Sequence, residues 1–413
     1  MSLESSFSLP CGLTLQNRLV KAAMAEGMAD GSAKPNAKHS TLYREWAEGG
    51  WGAILTGNVQ VDSKHLGSPG DIAPSADETE REKTLEVWKK WAGECQANGT
   101  PAIVQLNHPG RQSPVVARKG QAMGPSAVAL NIGNGIIAQL ARWLVFGTPK
   151  AMTVEEIQIV VKQFASAAKL ASDAGFKGVE LHAAHGYLLS QFLSPLSNTR
   201  TDDYGGSPKN RARIIKEIMA AVRAATPAGF CVGIKINSAD HQQENGLEEC
   251  LEQVEFITEE QVDFLEISGG TYEDPKMMKS DVDEDEPRGG EAKRTERTAK
   301  REAFFLEYAH EVRRKFPSLP LMVTGGFRSR RGMQAAVDEG GCDMVGIGRP
   351  SAVTPKLPTQ IILNKEIPDE DANLVLEQIK TPWIMGKLGL GALGAGMVTI
   401  HFQKAMKQLA VAH

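Results

Sequence analysis

The chain has 413 residues, 46 of them Lys or Arg and 50 Asp or Glu, for a formal net charge of −4. A dedicated nucleic-acid binder is expected to be strongly basic, so that class is excluded, and 41% hydrophobic with 23% charged residues exclude disorder as the main state. Five scattered cysteines, Cys11, Cys95, Cys231, Cys250 and Cys342, provide neither a disulfide framework nor a CxxC metal pair.

These thiols fit a reducing compartment, and MSLESSFSLP has no basic residue ahead of a short apolar run, so a cytoplasmic protein without a signal peptide is expected. The longest uncharged apolar run, Leu388 to Ile400, is shorter than the roughly 17–25 residues that a spanning helix needs, so no stable membrane insertion is expected.

In chain order, short β-branched runs alternate with longer segments of helical period. The runs are NRLVKAAM from Asn17, GAILTGNV from Gly52, PAIVQLNH from Pro101 and GVELHAAH from Gly178, then FCVGIKIN from Phe230, DFLEISGG from Asp263, PLMVTGGF from Pro320 and DMVGIGRP from Asp343. Between them, VEEIQIVVKQFASAAKLASDAG puts Ile157, Val160, Val161, Phe164 and Ala168 on one helical face. Such alternation predicts an α/β fold, a closed (β/α)₈ TIM barrel whose last helix starts near residue 359, with an open doubly wound sheet as the rival. The barrel is expected over residues 1–360, with long βα insertions at about 109–150 and 272–300, and a helical C-terminal extension over 361–413.

The second insertion mixes both signs of charge and reads as a solvated flap. In the tail, KLGLGALGAG carries a formal GxGxxG at Gly389, Gly391 and Gly394, but no strand precedes it and no acidic residue follows Glu377 to hold a ribose. A helix packed on the barrel or on another subunit is expected there, with a membrane-surface helix as the alternative, so a homodimer stays open.

Chemistry is expected at the strand C-termini. After strand seven, Gly325 and Gly326 would let backbone N–H groups approach a phosphate beside a helix opening near Ser329; after strand eight, Gly348 and Arg349 add a second approach and a cation. Simple tight turns are the competing reading. Strand four ends Glu180-Leu-His182-Ala-Ala-His185-Gly-Tyr187, which sets two imidazoles and a phenol within reach of one substrate oxygen. Metal binding competes for the two histidines, with Glu180 and Asp203 as carboxylates, but no HExxH or comparable ligand set supports it. On the same rim, Gln105 and Asn107 end strand three, and Lys235 and Asn237 end strand five. Gln105 and Lys235 suit a planar heteroaromatic cofactor, or else a polar core layer in which Lys235 pairs with Glu180 or Glu266.

HAAHGYLLSQFLSPLSNTRTDDYGGSPKNR, from His182 to Arg211, resembles the signature of the old yellow enzyme family of FMN-dependent NAD(P)H oxidoreductases, and QNRLVKAAM, VQLNHPGRQ, TGGF and GIGRP extend the likeness from about Leu9 to Pro350. The resemblance implies a (β/α)₈ barrel holding FMN, reduced by NADH or NADPH and reoxidised by an electron-poor alkene. It implies that His182 and His185 bind the substrate carbonyl oxygen and that Tyr187 donates the proton. It also implies that Gln105 meets the flavin pyrimidine edge, that Gly325, Gly326, Gly348 and Arg349 grip the phosphate, and that Ala23, Met24 and Gly57 touch the flavin by backbone.

Tyr272, just after strand six, is a further candidate for the substrate pocket. Two positions depart from the family's commonest pattern: Ala25 stands where many members carry Thr or Cys near the flavin O4, and Lys235 replaces the Arg beside flavin N1. Two other readings remain open here, a Schiff-base aldolase or lyase using Lys235, and a flavin-binding protein with redox-neutral isomerase chemistry or no turnover.

Overall fold

The computed structural model describes residues 1–75, 77–133, 135–238, 246–269, 306–374, 376 and 391–411. Each apolar run seen in the sequence contains a strand: β1 Leu19–Lys21, β2 Ala53–Leu55, β3 Ala102–Asn107, β4 Gly178–Ala183, β5 Cys231–Asn237, β6 Phe264–Ser268, β7 Leu321–Thr324 and β8 Met344–Ile347. Neighbours in this order pair in parallel, and β8 pairs with β1 through Gly346 and Val20, so the sheet closes on itself and the open doubly wound alternative is excluded.

The helices lie outside: α1 Ala37–Ala47, α2 Arg81–Cys95, α3 Val154–Asp173, α4 Pro208–Ala225, α5 Gly246–Thr258, α6 over 306–315, α7 Arg330–Asp338 and α8 Gly391–Leu409. α3 starts at a capping box, in which the Thr153 hydroxyl accepts from Glu156 N–H while the Glu156 carboxylate accepts from Thr153 N–H, and its predicted apolar face is buried. α4 starts at Ser207 with Pro208 pre-set in the first turn.

The expected last helix near residue 359 is only a turn, Pro358–Ile362, because Pro355, Pro358 and Pro368 leave no room for a longer one. The Arg330 guanidinium collects the carbonyls of Ile361, Ile362, Asn364 and Ile367 around that turn. α8 packs instead against Arg349–Ala352 and α1, so the C-terminal extension joins the barrel wall. Among the described residues, no helix is long and apolar enough to cross a membrane. The 272–300 insertion, with Tyr272, lies outside the described residues.

Side chains that alternate inward form layers inside the barrel. The lower layers are apolar, with Val20, Ala53, Leu55, Ile103, Phe264, Met322 and Met344 packed on a hairpin, Phe7–Ser8 with Thr14–Leu15, that plugs the bottom. Gly233 is inward too, where a Cβ would stand 2.2 Å from the Phe264 ring, so the missing side chain makes room for the phenyl group. The upper layer is polar and forms the floor of the site described below.

Beyond β3 the chain is held by a buried polar cluster of Asp62, His65 and His108. His65 Nδ1 lies 2.7 Å from Asp62 Oδ2, and the Gly110 N–H donates to His108 Nδ1 at 3.0 Å. Burial, and then the neighbouring His65, push the His108 imidazole down from 6.5 to about 3. Because the unfolded chain binds this proton more readily, the stability linked to His108 is full above pH 6.5 and is lost as pH falls toward 3. His108→Asn, which retains an acceptor for Gly110 N–H, should therefore flatten the acid limb of stability against pH by about 1.4 kcal/mol per pH unit, measured by denaturant titration between neutral and mildly acid pH. An unchanged slope would place the acid sensitivity elsewhere.

Candidate active site

The polar layer at the barrel's C-terminal end brings together Gln105, Glu180, His182, Lys235 and Glu266, all buried and from neighbouring strands. Lys235 Nζ lies 2.6 Å from Glu266 Oε1, and Gln105 Nε2 donates to Glu180 Oε2 at 2.6 Å. Burial, and then the nearby Glu266 carboxylate, hold the Glu180 carboxyl well above the usual carboxylate range, which favours its neutral form. The floor is thus one ion pair, one neutral acid and one amide. Lys235 and Gln105, expected to face a cofactor, both line the cleft while also holding these partners.

Above the floor opens a cleft of about 410 Å³, within the range of small-molecule sites. β4 delivers His182 to its wall. The next turn passes through His185 at φ 58° and Gly186 at φ 74°, two left-handed residues in succession. A left-handed non-glycine residue costs about 1–2 kcal/mol, and here the His185 backbone is held on both sides: its N–H donates to Asn237 Oδ1 at 3.1 Å and its carbonyl accepts from Gln112 Nε2 at 2.9 Å. This reversal brings His185 Nδ1 to 2.9 Å from His182 Nε2, and it sets Tyr187 against the His182 ring at a centroid distance of 4.8 Å. Burial pushes both imidazoles well below their ordinary range, so both rings are neutral.

Asn58, just beyond β2, lies 3.1 Å from His182 Nδ1 and 3.4 Å from the Tyr187 oxygen, and Ser268 at the end of β6 lies 3.2 Å from His185 Nε2. Neither residue stood out in the sequence, although Ser268 follows Phe264 and Glu266 in the inward alternation. The chain Tyr187–Asn58–His182–His185–Ser268 has two self-consistent proton arrangements, related by turning over the Asn58 amide. With Oδ1 toward His182, the ring carries its proton on Nδ1 and Nε2 accepts from His185. With Nδ2 toward His182, both rings carry Nε2–H, His182 donating to His185 Nδ1 and His185 to Ser268 Oγ, and an oxygen bound in the cleft would compete with these two acceptors for the protons.

At the other end stand Gly325 at φ 150° and Gly326 at φ 78°, conformations that glycine adopts without strain, together with Gly348 and Arg349. Arg328 joins them as a second guanidinium that the sequence reading passed over. Ala23, Met24 and Ala25 line the side wall. Gly57 does not line the cleft. Its N–H donates to Tyr43 Oη at 2.9 Å and Glu26 Oε1 at 3.1 Å, and a Cβ there would stand 2.1 Å from Glu26 Oε2 and 2.5 Å from the Met24 carbonyl, so this glycine admits protein backbone rather than a ligand. α8 forms the roof with Val398, Thr399, Phe402 and Gln403. The arrangement fits a flavin mononucleotide: a glycine cradle with two guanidiniums for the phosphate, a floor of amide and ion pair for the ring, and Thr324 Oγ1, buried and with no partner among the described residues, on the wall.

Residues 11–370 match the model of the NADH:flavin oxidoreductase / NADH oxidase family. The chain is 47% identical over 401 residues to the NADH-dependent flavin oxidoreductase iliE of Neonectria sp. (strain DH2), covering 94% of this chain and 51% of that protein, so it spans about half of that relative's length. It is 43% identical over 394 residues to the NADH-dependent flavin oxidoreductase iliE of Hypocrea jecorina (strain QM6a), covering 94% of this chain and 96% of that one. Among solved structures, the old yellow enzyme homologue from Zymomonas mobilis shares the fold with a TM-score of 0.71 at 23% identity, over 89% of this chain and 94% of that one. With Lys235 paired to Glu266, these matches remove the Schiff-base reading. The chain belongs to the NADH:flavin oxidoreductase / NADH oxidase family, flavin enzymes that take FMN as cofactor and a nicotinamide as electron donor.

Proposed function

We propose that this protein reduces the C=C bond of α,β-unsaturated carbonyl compounds, using NADH or NADPH as reductant, in the cytoplasm. The observation that carries the reading is the cluster of His182, His185 and Tyr187 on one side of the cleft. FMN, which Gln105, Lys235, Gly325, Gly326, Gly348 and Arg349 would hold, would supply the hydride-transfer chemistry between the nicotinamide and the alkene.

The residues supply the rest. Two neutral imidazoles donate N–H bonds to the substrate's carbonyl oxygen, where negative charge grows as hydride arrives, and burial makes those bonds stronger than they would be in water. Tyr187 stands beside them to protonate the second alkene carbon. Asn58 is a positioning residue that sets which imidazole nitrogens carry protons. Glu266 offsets the Lys235 charge, and Ala25 has no side-chain hydrogen bond to donate, so a reduced flavin held in the cleft would be less stabilised than one beside Thr or Cys at that position.

Anaerobic stopped-flow spectroscopy separates these roles. NADH or NADPH should bleach the flavin absorption, and cyclohexenone should restore it; a flavin that bleaches but is never reoxidised by an enone would leave the alkene reading without support. Tyr187→Phe should keep flavin reduction near wild type and slow reoxidation by about 10²-fold or more, the usual worth of a positioned proton donor. Equal loss in both half-reactions would contradict that role.

Asn58→Asp, whose carboxylate only accepts, should lock the His182 proton on Nδ1 and weaken the binding of a phenolate such as that of 4-hydroxybenzaldehyde by about tenfold, while Asn58→Gln should retain part of it. Tight binding to the Asp variant would remove Asn58 from the relay. Ala25→Thr should raise the flavin midpoint potential, read by dye equilibration; an unchanged potential would mean that the O4 side is already satisfied.

A further inference from the structure

The insertion between β3 and α3 carries a helix, Ile136–Val145, that is built inside out. Its small residues Ala138 and Ala141 face a local cluster with Leu130, Ile132 and Phe146. Its large apolar side chains face solvent: Ile136, Ile137, Leu140, Trp143 and Leu144 are between 52% and 86% exposed. Their spacing, i, i+1, i+4, i+7 and i+8, puts all five on one stripe. The neighbouring turn Val115–Ala117, which packs on the helix, adds Val115 and Val116, 51% and 80% exposed. Contiguous apolar surface of this kind marks an interaction site.

Charge decides which partner. Between residues 109 and 150 the chain has no Asp or Glu, and its charged residues are Arg111, Arg118, Lys119, Arg142 and Lys150. Arg111 is buried, Arg142 lies on the opposite side of the helix with its Nε buried, and Lys150 is paired with Glu156, so the basic residues beside the stripe are Arg118 and Lys119, joined by Lys64, whose carbonyl accepts from Lys119 N–H at 2.7 Å. The Arg118 guanidinium donates to the carbonyls of Ser113 and Gly120, neutral partners that leave its charge in place. A symmetric contact between two copies would set this basic rim against itself. An apolar stripe with a tryptophan and a basic rim matches the interface of a bilayer that contains anionic lipid.

We infer that the helix Ile136–Val145 docks the protein peripherally on an anionic phospholipid surface, with Ile137, Leu140, Trp143 and Leu144 at the acyl boundary and Lys64, Arg118 and Lys119 on the headgroups. The ten-residue helix lies in the interface and does not cross it. Because the insertion leaves the C-terminal end of β3, docking sets the cleft end of the barrel toward the bilayer.

The test is co-sedimentation of the FMN-loaded full chain with vesicles of phosphatidylcholine alone and of phosphatidylcholine with phosphatidylserine. Binding should be at least about tenfold tighter to the anionic vesicles and should fall as salt is raised. Leu140→Glu/Leu144→Glu should abolish it, and Lys64→Glu/Lys119→Glu, which leaves the apolar stripe intact, should remove the preference for phosphatidylserine. Both variants should keep the wild-type melting temperature and rate of flavin reduction by NADH, since none of these residues lines the cleft. Equal binding to the two vesicles, no binding at all, or retention by the Leu140→Glu/Leu144→Glu variant would overturn the inference. So would light scattering that shows a lipid-free dimer which this variant converts to monomer, because the stripe would then be covered by a second copy.

Discussion

Everything in this molecule rests on closure of the parallel sheet, because closure turns the inward half of eight strands into stacked layers from which water is excluded. The lower layers meet that constraint with apolar side chains and the plugging hairpin. The upper layer places charged groups in a poorly solvated space, where an unpaired ion would be too costly to keep. Lys235 and Glu266 form a pair, and Gln105 Nε2 donates to Glu180, whose carboxyl is pushed toward its neutral form. This floor is a platform on which a flat ring system could rest.

The same exclusion of water explains the histidines. Desolvation removes their charge, which suits them to hydrogen bonding as neutral rings rather than to acting as acids, and under the proposed function leaves proton delivery to the tyrosine. The turn that brings them together runs through a left-handed His185, a strain of about 1–2 kcal/mol, offset by two hydrogen bonds of about 1 kcal/mol each from Asn237 and Gln112. A rigid turn of this kind keeps the two imidazoles within 2.9 Å of each other.

How much could be read from the chain varies with the range of the interaction. HAAHGY lies within six residues, so its chemistry was visible at once, and TGGF and GIGRP mark their turns by glycines that need unusual dihedrals. Gly57, given a flavin contact by the family resemblance alone, is not part of the cleft lining, and the space a Cβ would fill there is taken by Glu26 and the Met24 carbonyl. Asn58 was missed because its partners are His182, 124 residues away, and Tyr187, 129 residues away, and an asparagine near a strand end carries no local sign of them. The inside-out helix Ile136–Val145 escaped for a related reason: apolar periodicity finds a stripe but not which side of it the protein covers.

The sequence by itself determined the eight-strand order, the helices between them and the histidine–tyrosine cluster, because period-two and 3.6-residue patterns and short motifs are local properties of the chain. Only the tertiary structure decided that α8 would roof the cleft in place of a helix near residue 359, that Glu266 rather than Glu180 would pair with Lys235, and that Asn58 and Ser268 would join the histidines and tyrosine in one hydrogen-bonded chain. Each of those outcomes depends on the register at which distant strands meet when the barrel closes, and no local pattern in the chain specifies that register.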